Sequence, residues 1–162
     1  NYFDKLICFE PNPNCIDYLN KNINSKTSKI YSHALGFEEV NKNLFIHPIN
    51  SGASSFVDNT KVGVDKKLKP LYGKFPKNTQ KVNVNIRKLD SFNFKKIDFI
   101  KIDVQGYEFQ VLKGAEITLD INNPVICLEE DNPQSSETIP YLKSLNYSII
   151  DIINKEHIFK KL

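Results

Sequence analysis

The sequence predicts an α/β domain built on a mostly parallel sheet, with helices on its faces and an antiparallel hairpin at its C-terminal edge. Three observations point there. Apolar, β-branched runs alternate with segments of helical periodicity, the pattern of strand–helix–strand units. Several of those runs end in an acid: KLICFE at 5–10, DFIKID at 98–103 and PVICLE at 124–129. One stretch, Asp98 to Gly114, sets an apolar run, an acid (Asp103), a turn glycine (Gly106), an amphipathic segment and a closing glycine in direct succession. In open α/β sheets ligands sit at the carboxyl ends of strands, so these acids are candidate site residues.

The elements follow in order. Residues 5–10 read as a short buried strand, punctuated by Pro11 and Pro13. Asn14 is the expected N-cap of a helix over about 15–23, with Ile16, Leu19 and Ile23 on one face. Residues 29–33 read as a second strand ending at Ala34-Leu35-Gly36, and 44–47 as an outlying third. Residues 48–80 have no periodicity and form a long excursion, and long loops of this kind are often functional. Strands follow at 82–87 and 97–103. A helix over 107–113 ends with Gly114 as its C′ residue. A buried strand over 124–129 and a helix within 135–146, with Ile139, Leu142 and Leu145 facing inward, come next. A hairpin of 147–153 and 157–161 turns at Asn154-Lys155. No internal repeat is found.

The 162 residues fit a single domain, residues 1–162, large enough to bury a core, and 40% hydrophobic with 25% charged residues is ordinary for a globular chain. No apolar run reaches the ~18–20 residues of a membrane helix, and no signal-peptide pattern opens the chain. Of the three cysteines, Cys8 and Cys127 lie in strand-like apolar runs, where small buried thiols are the ordinary reading. No CxxC or Cys/His spacing suggests a metal, and a reducing, cytoplasmic compartment is expected. The chain has no methionine, which leads us to expect a piece of a longer reading frame.

Glu10 is the first candidate. An acid closing the second strand of a nucleotide-binding fold accepts hydrogen bonds from both vicinal ribose hydroxyls; the plain alternative is a strand-end acid facing water. In the dinucleotide fold a glycine fingerprint lies ~20 residues before such an acid. Only nine residues precede Glu10, and the six glycines form no G-x-G pattern. A cofactor-cradling glycine loop is therefore expected upstream of the sequence. Asp103 is the second candidate, placed to orient an acceptor hydroxyl or to contact a cationic cofactor, or simply to cap the turn and helix that follow. Glu108 suits the first turn of that helix. Lys101, inside a buried strand, must snorkel or pair, and Asp103 is on its face. Glu129 and Glu130 end the next strand, bordering the same cleft or facing solvent. Between Asn59 and Lys81 stand seven lysines and one acid, either a solvated loop or a surface for an anionic substrate. No nucleic-acid-binding fold is recognisable, and the three histidines are scattered.

The motifs ICFEPNP at 7–13, HALG at 33–36, SGASS at 51–55, LD at 89–90, IKIDVQGYE at 100–108, VLKGA at 111–115 and PVICLE at 124–129 occur in this order. Together they resemble the FkbM family of S-adenosylmethionine-dependent methyltransferases over nearly the whole chain, the 100–114 run being the specific part. The resemblance implies a Rossmann-like class I methyltransferase sheet whose first strand and helix are missing from this sequence. It implies methyl transfer, usually to an oxygen, with a small-molecule or glycan-type acceptor. It implies cofactor-binding roles for Glu10, Asn12, His33, Ala34 and Asp103: Glu10 on the ribose, His33 and Ala34 near the adenine, and Asp103 at the cofactor–acceptor junction as the catalytic candidate. Two departures stand out. Gln105 occupies a position usually held by an acid, and the upstream glycine-rich motif is absent.

The missing strand would lie between the strands at 5–10 and 97–103, so the sheet is expected to show either a gap or direct pairing of those two. Two other functions are consistent with the residues: a nicotinamide-dependent oxidoreductase, and a non-catalytic binding module of the same fold.

Overall fold

The computed structural model describes residues 3–48, 50–56, 79–130 and 132–161. Residues 57–78, most of the lysine-rich excursion, lie outside this set. The chain divides into two compact units, Asn1–Ala34 with Glu39–Ile86 and Leu35–Glu38 with Arg87–Leu162.

In the first unit β1 (Leu6–Phe9) leads into α1 (Pro13–Asn22) and back to β2 (Ser28–Tyr31), which pairs with β1 in parallel. The helix begins two residues earlier than its apolar periodicity suggested. Its N-cap is Asn12, not Asn14: the Asn12 side chain accepts from the Asn14 N–H at 3.0 Å, and Pro13 takes the first helical position. Proline fits there because that N–H has no helical partner in any case. The expected inner face of Ile16, Leu19 and Ile23 is only half-buried. β4 (Val40–Phe45) pairs antiparallel with β5 (Lys81–Arg87), and β5 is flanked on its other side by β3 (Ala34–Leu35). Leu44, Ile46 and Val84 form a small buried cluster with Phe56 and Val82 against it. A single helical turn, Ser51–Ala53, precedes a bridge from Ser55 to Phe45.

The second unit is a four-stranded sheet in the order β6 (Phe99–Ile102), β7 (Val125–Glu129), β9 (Glu156–Lys161), β8 (Tyr147–Ile153). β6 and β7 are parallel, and β9 and β8 are added antiparallel, so the expected C-terminal hairpin is present. Three helices accompany this sheet: α2 (Glu108–Lys113), α3 (Glu116–Asn122) and α4 (Thr138–Ser144). They bring Leu112, Leu119 and Leu142 into a core with Ile126, Leu128, Tyr147 and Phe159, all nearly inaccessible to solvent. Full burial of each such side chain is worth about 1.5–3 kcal/mol. Helix α3 was not foreseen, because Ile117 and Ile121 on it are solvent-exposed and break the apolar stripe.

The architecture is α/β with mixed sheets, less parallel than expected and distributed over three sheets among the described residues. Sequence-local hairpins pair antiparallel where parallel strands need a crossover, which explains β8–β9. β1 pairs with β2 and β6 with β7, and direct β1–β6 pairing does not occur among the described residues.

Gly114 has a different role from the left-handed helix terminator the sequence suggested. It sits at the C-cap of α2 with φ −84°, a conformation open to any residue. Close approach is what excludes a side chain: a Cβ at Gly114 would stand 2.0 Å from the Gly36 carbonyl oxygen. Gly36 in turn donates its N–H to the Arg87 carbonyl, and the Gly114 carbonyl accepts from the Asp90 N–H. Asp90 then caps α3, its carboxylate accepting from Ile117 and Thr118 N–H at 3.1 and 2.7 Å. Gly114→Ala is therefore expected to lose at least the roughly 1–3 kcal/mol typical of overpacking. Gly52→Ala, whose Cβ would meet Asn50 Oδ1 at 3.4 Å, is the control and should lose less than about 1 kcal/mol. Urea unfolding of both variants checks this.

Candidate functional site

In the second unit the candidate residues gather at the carboxyl end of β6. The chain leaves the strand at Asp103 and reverses at Gln105 and Gly106, which carry successive positive φ values of 55° and 89°. The left-handed conformation costs an L-residue roughly 1–2 kcal/mol. It is offset by Glu108, whose Oε1 accepts from the Val104 N–H at 3.2 Å and the Gly106 N–H at 3.1 Å. Hydrogen bonds to a charged group are worth about 1.5–3 kcal/mol each, so the balance favours the turn. Burial pushes the Glu108 carboxyl above the usual range, the backbone bonds oppose this, and the charge of Glu130 adds to the rise. Glu130, just beyond β7, is itself held by the Asn132 N–H at 3.1 Å and by the Ser136 hydroxyl. It therefore borders the same strand ends, as its position in sequence suggested.

The Asp103 carboxylate is held from two sides. Gln105 Nε2 donates to its Oδ1 at 2.9 Å, and Lys101 Nζ lies 3.9 Å from its Oδ2. The pairing expected for Lys101 is thus present but is not its main one: Nζ donates to Glu156 Oε1 on β9 at 2.5 Å. Partial burial works against the Lys101 charge, yet the hydrogen bond it donates to Glu156 and the charges of Glu156 and Asp103 outweigh it and raise its pKa. The Lys101 bond holds the Glu156 carboxyl below its ordinary value. Glu156 also accepts from the Cys127 thiol at 3.1 Å. The register makes this cluster: β6 Lys101 stands opposite β7 Cys127, and β9 Glu156 is two residues from Ile158, which faces Cys127. No signal in the sequence reveals it, because pairing β9 beside β7 is a tertiary choice.

In the first unit Glu10 closes β1, its N–H bonded to the Tyr31 carbonyl at 3.0 Å. Its Oε1 accepts from the Asn12 N–H at 2.7 Å. Burial raises the carboxyl's pKa and the Asn12 bond opposes the rise. Asn12 is fully buried, and both ends of its side-chain amide point into the unit: Oδ1 caps α1, and Nδ2 lies 3.5 Å from Ser54 Oγ. Ser54 Oγ also accepts from the His47 N–H at 3.3 Å. The 51–55 segment is thereby tied to the Glu10 strand end, a link the sequence did not suggest. His33 follows β2, and Ala34, buried, begins β3. Phe9 and Tyr31, paired across β1 and β2 just before these positions, stack with ring centroids 5.1 Å apart. Among the described residues no group of acids, histidines or cysteines is arranged to hold a metal ion, and no helix is long and apolar enough to cross a membrane.

The model of the methyltransferase FkbM domain matches residues 3–149. The chain belongs to that family. A curated relative, "Methyltransferase 1" of Beauveria bassiana (strain ARSEF 2860), is 26% identical over 121 residues, 68% of this chain and 49% of its own length. This FkbM-family chain therefore spans about half the length of the curated relative it matches. The crystal structure of methyltransferase FkbM from Methylobacillus flagellatus KT aligns with a TM-score of 0.56 and 13% identity. That alignment covers 97% of this chain and 36% of the other, and at this identity it bears on the fold alone. The family match takes in Glu10, Asn12, His33, Ala34 and Asp103 alike.

Cys127 behaves as a structural thiol in this FkbM-family chain. Burial first, then the bond to and charge of Glu156, push its pKa up to about 11. Because its folded pKa lies above the ordinary value of 9.0, the stability this thiol contributes is complete below pH 9 and is lost as pH rises toward about 11. Stability measured by urea unfolding should fall between pH 9 and about 11, and Cys127→Ser should flatten that fall. An identical slope in the variant would remove Cys127 as the source.

Proposed function

We propose that the protein is an S-adenosylmethionine-dependent methyltransferase of Rossmann-like class I architecture. Its acceptor on this reading is a hydroxyl of a sugar or of another small or conjugated molecule. The observation that carries it is the family match over residues 3–149 together with an ordered carboxylate, Asp103, at the carboxyl end of β6. That match favours methyl transfer over hydride transfer.

The residues present fit such a cofactor. Glu10 offers a carboxylate held by one backbone N–H at a strand end, the form in which an acid receives two ribose hydroxyls. Asn12 supports it from beneath: its side chain is engaged in the helix cap and the 51–55 segment, and its N–H orients Glu10. His33 and Ala34, following the Phe9–Tyr31 stack, are assigned to the adenine side.

The sulfonium methyl group is the electrophile that the bound cofactor supplies. The protein's part is to align an acceptor with it and to exclude water. Asp103 would accept the hydroxyl proton as the acceptor oxygen takes the methyl group, the carbon–sulfur bond breaking to leave a neutral thioether. Lys101 and Gln105 keep that carboxylate from rotating away.

In the full-length protein, labelled-methyl transfer to a panel of sugar and glycoside hydroxyls, with calorimetry of S-adenosylmethionine, tests the assignment. Asp103→Asn should lower turnover on the order of 10²-fold with cofactor affinity nearly unchanged. Glu10→Gln should weaken cofactor binding by about tenfold, roughly 1.4 kcal/mol. Folded protein that binds no S-adenosylmethionine would replace the enzyme with a binding module, and an unchanged rate in Asp103→Asn would remove that residue from the reaction.

A further inference from the structure

We propose that Glu108 is the positioning residue for Asp103, acting through the 104–106 turn and the Gln105 amide. The inference rests on the reading of Asp103 as the group at the methyl-acceptor junction.

The chain of contacts is continuous. Glu108 Oε1 accepts from the N–H groups of Val104 and Gly106, the two residues that bracket Gln105. Those two bonds hold Gln105 at φ 55°. In that conformation its side-chain amide turns back and donates to Asp103 Oδ1 at 2.9 Å. Lys101 stands on the Oδ2 side, so the carboxylate is bounded on both sides only while the turn persists.

Packing does not hold Val104 or Gly106. A Cβ placed on Gly106 would meet nothing within 4 Å, and Val104 is exposed. The turn is maintained by hydrogen bonds, and those donated by the Val104 and Gly106 amides both end on one oxygen of Glu108. That oxygen is itself well anchored. Glu108 opens α2, whose Val111 and Leu112 are in the core of the unit. A side chain fixed to the core by its helix thus fixes the orientation of a carboxylate five residues earlier, without touching it.

Nuclear magnetic resonance of the isotopically labelled full chain tests this directly. In Glu108→Ala the Gln105 side-chain amide signals should move to free-amide positions, and exchange of the Val104 and Gly106 amides should become about tenfold faster. Amides of β7 and β9 should keep their protection. Glu108→Gln should retain the native pattern, because its amide oxygen still accepts both N–H groups. If Glu108→Ala does not fold, Glu108→Asp carries the test: its carboxylate is one methylene short, and the Gln105 signals should move in the same direction. Unmoved Gln105 signals in either variant, or a Gln variant as perturbed as the Ala variant, would overturn the proposal. Asp103→Asn should shift the Gln105 signals while leaving Val104 and Gly106 exchange unchanged. The native pattern in a protein that shows no methyl transfer would support the positioning and count against the assigned reaction, so the two claims fail separately.

Discussion

The reversal of the chain directly after β6 is the constraint on which the candidate site depends. Two successive residues, Gln105 and Gly106, take positive φ, and only one of them is glycine. The unfavourable conformation at Gln105 is sustained by a carboxylate from the first turn of the helix it leads into. The consequence is geometric: Asp103 stays at the strand end instead of being carried into the helix, and its oxygens are held by Gln105 and Lys101. Functional sites are where such local cost is met and compensated by the surroundings.

The family's short motifs divide between two kinds of work. Some hold backbones together. Gly36 and Gly114 meet at a distance that admits no side chain, and Asp90 spends both carboxylate oxygens capping a helix 27 and 28 residues later. Asn12 and Ser54 join the helix cap to a loop. Others leave carboxylates at strand ends, where the proposed function puts its ligands. A motif read only as a site would misassign the first set, because a buried amide that satisfies its own fold is spent there.

How much of this is legible in the sequence depends on how local the cause is. The strand–turn–helix unit at 98–114 is written in adjacent residues, so its strand, its helix and the place of Asp103 were expected and found. The hairpin of β8 and β9 was too, since alternation and a turn dipeptide specify it. Features that depend on distant partners were not. The partner of Lys101 is Glu156, set by which strand lies beside β7. Helix α3 lacks an inward stripe because Ile117 and Ile121 face solvent. Pro13 placed the helix start two residues earlier than apolar spacing alone. Gly114 looked like a conformational glycine and is a steric one.

The central claim is that Glu10 closes a strand end that receives the ribose of a methyl donor, and a titration of S-adenosylmethionine into the labelled full-length protein, followed by backbone amide shifts, tests it most directly. Saturable shifts are expected at Glu10, Asn12, His33 and Ala34. Absence of saturable binding by folded protein, or saturable shifts that leave Glu10 untouched, would contradict it.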